Sequence, residues 1–168
     1  MTGNGILILG LDPGSRVTGF GLVREVSGTA TLVEAGTIRC NQEEEADRLG
    51  HISREISRLI ERHGPAEAAV EDVFTAKNAR SALKLGQARG AAMAACSLAG
   101  LPVSGYPPTH VKKSLVGQGR AEKEQVAFMV AQVLGVRKPE WAKDASDALA
   151  VAVCHLNERR FRRLTEAP

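Results

Sequence analysis

Four acidic residues from three distant segments have the types and placement to do chemistry together: Asp12, Glu71, and the pair Asp144 and Asp147. Asp12 closes the apolar run LILGLD and is followed by a Pro-Gly-Ser turn, and Glu71 closes a second apolar run, AAVE. A carboxylate at the end of a buried run is costly to desolvate unless something positive meets it. Asp144 and Asp147 lie three apart in KDASDALAVAVC. On a helix they share a face, near the end whose partial positive charge tolerates acids. Read alone, Asp144 also fits a helix N-cap. Gathered at one sheet edge, the four acids would repel one another without cations. Magnesium prefers oxygen ligands and is held by one or two carboxylates, several waters and substrate phosphate. Two such ions roughly 4 Å apart can activate a water and stabilise the leaving oxygen in phosphodiester cleavage.

The charge distribution supplies the complementary half. The net charge of +3 divides into −5 over residues 1–73, +7 over residues 74–123 and +1 over residues 124–168. A basic block suits a polyanion, whose counterions are released when lysines and arginines replace them. A solvated helix face would give the same count. Acids for cations beside a basic block for phosphates point to a nuclease.

Positioning these residues requires a sheet. Ile6 to Leu11 reads as a buried strand, Thr18 to Glu25 as its neighbour across the turn, and Thr29 to Arg39 as a third, an antiparallel meander bent at Gly28. Leu49, Ile52, Ile56, Leu59 and Ile60 form one helical stripe that ends at Gly64-Pro65. A short strand over residues 68–73, a helix from about Asn78 to Ala99 and a strand at Pro102 to Tyr106 follow. The rest is helical: a short piece after Pro108, one carrying Val126, Met129, Val130, Val133 and Leu134 on a face, and one from about Asp144 to Phe161. Strands first, then alternating helices and strands, predict an α/β fold with a mixed central sheet flanked by helices. Sites in such sheets gather where strand ends meet loops, which is where Asp12 and Glu71 fall.

Composition sets the remaining bounds. The 168 residues, 43% hydrophobic and 24% charged, fit one domain over 1–168, with residues after about 161 expected to lack fixed structure. Ile6 to Leu9 is too short for a signal-peptide core or a membrane span, so a cytoplasmic protein is expected. Cys40, Cys96 and Cys154 show no zinc or redox spacing and read as buried free thiols; the four histidines form no ligand pattern.

The ordered blocks LGLDPGSRVTGFG, VEDVFTAKNARSALKLGQARG, HVKKSLVGQGRAEKEQV and DASDALAVAVCH closely resemble the RuvC family of Holliday-junction resolvases, over about residues 6 to 156. The resemblance implies a ribonuclease-H-like fold, a homodimer, and magnesium-dependent paired nicking of a four-way DNA junction in recombination and repair. It implies two Mg2+ per site, with Mn2+ able to substitute, and a junction-binding and branch-migration motor complex as partner. Matched position by position, Asp12, Glu71, Asp144 and Asp147 are the metal-binding catalytic carboxylates. On that basis Asp12 would bridge two ions, Glu71 complete one, and Asp144 with Asp147 the other. Phe74 matches an aromatic presented to DNA at the junction centre, where stacking on an unpaired base is worth roughly 1–3 kcal/mol; core packing is its alternative. Lys112 and Lys123 match basic positions near the scissile phosphate.

Along the helix after Phe74, Arg80 and Lys84 share a face and read as DNA contacts with Lys77, while Arg89 drifts around the helix and stays undecided. The small residues from Gly90 to Gly100 fit either a dimer interface or tight packing within one chain. RRFRR, residues 159–163, fits a solvated helix terminus better than a DNA contact, and Trp141 is expected to pack under the site. Three other functions compete. An ATPase of the actin-like type would need a second phosphate hairpin and lobe, for which 168 residues leave no room. A binding module that never cuts would have no use for four acids that repel phosphate. A related ribonuclease-H-like nuclease acting on an RNA–DNA hybrid would share the chemistry and differ at Phe74 and in the dimer.

Overall fold

Alternation along the first strand dictates the layering. In β1 (Ile6–Asp12), Leu7, Leu9 and Leu11 join one hydrophobic cluster while Ile8 joins another, as the two-residue period of a strand requires when both faces are covered. The structure, a computed structural model, describes residues 5–73 and 77–166. β2 (Val17–Val26) and β3 (Thr29–Arg39) complete an antiparallel meander with β1. β4 (Glu67–Glu71) and β5 (Val103–Tyr106) add in parallel, giving the order β3-β2-β1-β4-β5.

Helices α1 (Glu45–His63) and α2 (Ala79–Leu98) cover the face carrying Leu7, Leu9 and Leu11. α1 buries Ile52, Ile56, Leu59 and Ile60, the stripe expected from a 3.6-residue period. α2 buries Ala88, Ala92, Ala95 and Cys96, small residues that allow close packing on α1 and the sheet. The opposite face is covered by α3 (Pro108–Val116), α4 (Lys123–Val133) and α5 (Lys143–Thr165). α5 is the central element of that layer: from Ala145 to Leu156 every residue is buried except Asp147.

α5 reaches the sheet over glycines. A Cβ on Gly10 would lie 2.2 Å from the Ala148 carbonyl oxygen, and one on Gly19 would lie 1.9 Å from that of Asp144. Only glycine allows that approach. Three boundaries differ from the sequence expectation. β4 stops at Glu71, paired with Tyr106; the Asp72 amide makes the last ladder hydrogen bond, to the Tyr106 carbonyl at 2.9 Å. The N-cap of α5 is Ala142, so Asp144 sits inside the first turn and is not the cap. α5 also continues past Phe161 to Thr165, with Arg162 and Arg163 in its last turn, where cations complement the exposed carbonyls; residues 162 to 165 therefore belong to the helix. Cys40, Cys96 and Cys154 are buried free thiols. No described helix is long and apolar enough to cross a membrane.

Candidate active site

Three backbone elements deliver the acids. Asp12 and Glu71 end the adjacent parallel strands β1 and β4, so both stand at one edge in the middle of the sheet. Asp147 projects from the second turn of α5 over that edge. Asp12, Glu71 and Asp147 line one cavity of about 350 Å³, with Lys112 of α3 and Lys123 at the start of α4 on its wall. Asp144 does not line the cavity, but its charge reaches both Asp12 and Asp147.

Electrostatics at this cavity are those of a crowded anion cluster. Burial, a hydrogen bond shared with Glu71, and the charges of Glu71, Asp147 and Asp144 push the Asp12 carboxyl up to about 9. Burial likewise raises Glu71, against the opposing hydrogen bond from Asp12. Burial also raises Asp147, opposed by Lys123. The Lys123 ammonium stands 3.6 Å from Asp147, and the attraction of Asp147 raises Lys123 in turn. A proton held between two carboxylates near neutral pH marks a site with an excess of negative charge. The donors are all oxygen, which fits a hard divalent cation. Among the described residues no three His, Cys, Asp or Glu side chains close a metal cage by themselves.

The other expected residues fall in two places. Lys77 is exposed in the bend before α2, whose N-cap Asn78 accepts a hydrogen bond from the Ser81 amide at 2.9 Å. Arg80 and Lys84, on the first turns of α2, line a groove with Arg48, while Leu85 beside them reaches the acid cavity. Phe74 lies outside the described residues. Arg89 is resolved as a structural residue: it pairs with Asp72, the neighbour of Glu71. Trp141 does not pack under the acids; it packs beside Leu32, Ala35 and Val136 near β3. In RRFRR, Arg159 pairs with Glu67 at 2.8 Å and Arg160 with Glu25 at 2.9 Å, so two of the four arginines fasten α5 to the sheet.

One arrangement has no counterpart in the sequence reading. The buried His155 ring lies between Tyr106 and Glu67, with the Tyr106 hydroxyl 2.7 Å from Nδ1 and Glu67 Oε2 2.7 Å from Nε2. A carboxylate only accepts, so Nε2 carries the proton and donates to Glu67, and Nδ1 accepts from the tyrosine. The available signal was a lone imidazole inside the apolar run ALAVAVCHL, a buried polar group that requires partners.

The family model for crossover junction endodeoxyribonuclease RuvC matches residues 8–155. A Solidesulfovibrio magneticus protein of that name is 64% identical over 167 residues, covering 99% of this chain and 98% of its own. One from Oleidesulfovibrio alaskensis is 63% identical over 164 residues, covering 98% of each. Thermus thermophilus RuvC, solved in complex with Holliday junction substrate, superposes with a TM-score of 0.86 at 35% identity, over 93% of this chain and 96% of that one. The mixed five-stranded sheet with its flanking helices is thus a ribonuclease-H-like fold, and the chain belongs to the crossover junction endodeoxyribonuclease RuvC family.

Proposed function

We propose that this chain is a Holliday-junction-resolving endonuclease that hydrolyses one phosphodiester in each of two opposed strands of a four-way DNA junction. The observation that carries this reading is the convergence of Asp12, Glu71 and Asp147, from segments far apart in sequence, on one cavity walled by Lys112 and Lys123. Acids alone would repel DNA, and lysines alone would only bind it.

Asp12, Glu71 and Asp147, with Asp144 one turn behind, would hold the divalent cation, magnesium by preference and two per site. When bound, such ions supply a Lewis acid at the scissile phosphate and a water that loses its proton near neutral pH. The chain's own residues do the rest. Asp12 and Glu71, fixed on neighbouring strands, set where the cation charge sits. Lys123, 3.6 Å from Asp147 in the free protein, would turn to the phosphate once Asp147 is engaged. Lys112 faces the same cavity and takes up charge that builds on the phosphate oxygens. Hydrolysis of this kind would leave 5′-phosphate and 3′-hydroxyl ends that a ligase can seal. Lys77, Arg80 and Lys84 would grip the backbone of the arms, and Phe74 would stack at the opened centre.

A homodimer completes the reading, because a two-fold protein matches a junction whose two target strands are themselves two-fold related. The exposed side of α2 supports it: Leu83 is exposed, and a Cβ on Gly86 or Gly90 would meet open space. Handling of a chromosomal intermediate fits a cytoplasmic location and work beside a junction-binding, branch-migrating motor.

The test is incubation of the protein with a mobile four-way junction labelled on each strand in turn, with and without Mg2+, beside a duplex and an RNA–DNA hybrid. Symmetric nicks in the junction alone, dependent on the metal, are expected. Tight binding without cutting in Mg2+ or Mn2+ would overturn the nuclease reading, and preferential cutting of the hybrid would overturn the junction as substrate.

A further inference from the structure

On the other side of Asp12 from Lys112 and Lys123, the same sheet edge carries a second concavity, of whose cations only Lys84 has a role in the reading above. It has a volume of about 550 Å³ and is lined by Arg16, Arg39, Arg48 and Lys84 together with Cys40 and Glu43. Arg16 lies in the turn after β1, Arg39 ends β3, Arg48 is on α1 and Lys84 on α2. The strand register places Arg39 opposite Val17, beyond the Asp12–Gly19 and Gly19–Thr37 pairs, so its end of β3 shares an edge with Asp12. The Cys40 amide donates to the Arg16 carbonyl at 2.8 Å, which fastens the turn after β1 to the end of β3.

Among the described residues the four cations have no ion-pair partners. Among the described residues, Arg58, Arg62, Arg89, Arg159 and Arg160 each form an ion pair, whereas Arg16, Arg39, Arg48 and Lys84 form none. Four cations converging on one notch repel one another, and guanidinium groups are suited to phosphate oxygens. The acids Glu43, Glu44 and Glu45 line the adjoining groove with Arg80 and bound the cationic surface on that side.

We propose that this notch is a phosphate subsite that holds the backbone of the cleaved strand on the side of Asp12 opposite Lys112 and Lys123. The sheet order β3-β2-β1-β4-β5 supports the placement: Arg39 ends a strand two positions from β1 on one side, and Lys112 follows a strand two positions away on the other. Two strand spacings are about 10 Å, which at a rise of 3.4 Å per nucleotide corresponds to about three nucleotides from the scissile phosphate. A strand crossing the edge would meet lysines, then acids, then the notch. The cationic sets on the two sides would thereby hold it in register over the carboxylates.

This inference rests on the junction-nuclease reading, and the test separates the two. The Asp12→Asn protein, in calcium or chelator so that no cutting intervenes, is titrated with a four-way junction in increasing salt, alone and combined with Arg39→Ala/Arg48→Ala. Junctions carrying a single neutral methylphosphonate at successive positions of the cleaved strand are titrated in parallel. The double substitution is expected to weaken binding about tenfold at low salt and to reduce the slope of log K against log salt by about 1. A methylphosphonate about three nucleotides from the cut should weaken the parent protein but not the Arg39→Ala/Arg48→Ala protein. Arg39→Lys/Arg48→Lys should retain most of the binding, and thermal unfolding checks that both variants fold. Unchanged affinity and slope in the alanine variant, or equal penalties for both proteins at every methylphosphonate, would overturn the subsite while leaving the nuclease reading intact. Failure of the parent protein to prefer a junction over duplex would overturn both.

Discussion

Replacing Gly19 by alanine perturbs the site without touching a charged group. Gly19 is the register partner of Asp12 on β2, and a Cβ there would lie 1.9 Å from the Asp144 carbonyl oxygen, whereas ordinary contact begins at 3.4 Å. The first turn of α5 must therefore retreat by about 1.5 Å, or β2 must bend by as much. Misplacement of a catalytic group by 1 Å costs roughly 100-fold in rate, so cleavage of a saturating junction should fall about 100-fold. Overpacking of this kind destabilises by about 1–3 kcal/mol, roughly 2–12 °C in Tm for a chain of this length. Binding should change little, since Gly19 faces the inside of the molecule. The assay is single-turnover cleavage of a labelled junction, with anisotropy for binding and thermal unfolding for stability. Gly50→Ala, in α1 where a Cβ meets only the flexible end of Arg54 at 3.1 Å, is the control: it should be neutral or stabilising by up to about 1 kcal/mol and cut normally. A folded Gly19→Ala protein that cuts at the parental rate would refute the claim that the N-terminal turns of α5 set the reaction geometry.

Other expectations follow from the same contacts. Asp12→Asn should lower cleavage by at least about 100-fold while junction binding persists, and a chelator should reproduce both effects in the parent protein; gel-shift and cleavage assays read them directly. His155→Ala leaves Glu67 and the Tyr106 hydroxyl without their partner and opens a cavity, and urea denaturation should show a loss of about 2–4 kcal/mol, with the cleavage rate of the folded fraction retained. Stability should also depend on pH through this ring. Burial holds His155 below its ordinary value of 6.5, against the opposing pull of Glu67, so the unfolded chain takes up the proton first. The contribution is complete above about pH 6.5 and is lost as pH falls below it. Burial pushes Glu67 up, but hydrogen bonds from Arg159 and His155 outweigh it and hold the carboxyl below its ordinary 4.5, so a second loss sets in as pH falls below about 4.5. Urea midpoints measured across this range should flatten between pH 6.5 and 5 in His155→Asn; an unchanged slope would remove His155 from the account.

The acids were legible in the sequence because a strand with apolar residues on both faces must end where a carboxylate begins, and Asp12 and Glu71 do end theirs. Their convergence followed from strand and helix ends sharing one edge. What spacing could not show was anything that depends on the far side of a contact. A helical wheel places Arg89 on a face but does not reveal Asp72 across from it. Arg159 and Arg160 read as a solvated terminus because Glu67 and Glu25 lie 92 and 135 residues away. His155 finds Tyr106 and Glu67 at separations of 49 and 88, and no local pattern encodes such partners. The cationic notch was hidden for the same reason: Arg16, Arg39 and Arg48 come from the half of the chain with net charge −5, so a running charge count conceals a positive surface inside an acidic segment.

The placement of α5 also bears on how the enzyme comes into being. A single domain of this kind folds as a unit, so no part of its sheet is stable before its covering layers are in place. Without α5, Ile8 and Val23 would face water on one side of the sheet, and only two of the four acids would stand at its edge. The remaining acids arrive on the helix that covers that face, as it settles over Gly10 and Gly19. Completing the core and bringing the four acids together are therefore one event, and on the proposed reading a half-made chain beside DNA would have no means of cutting it.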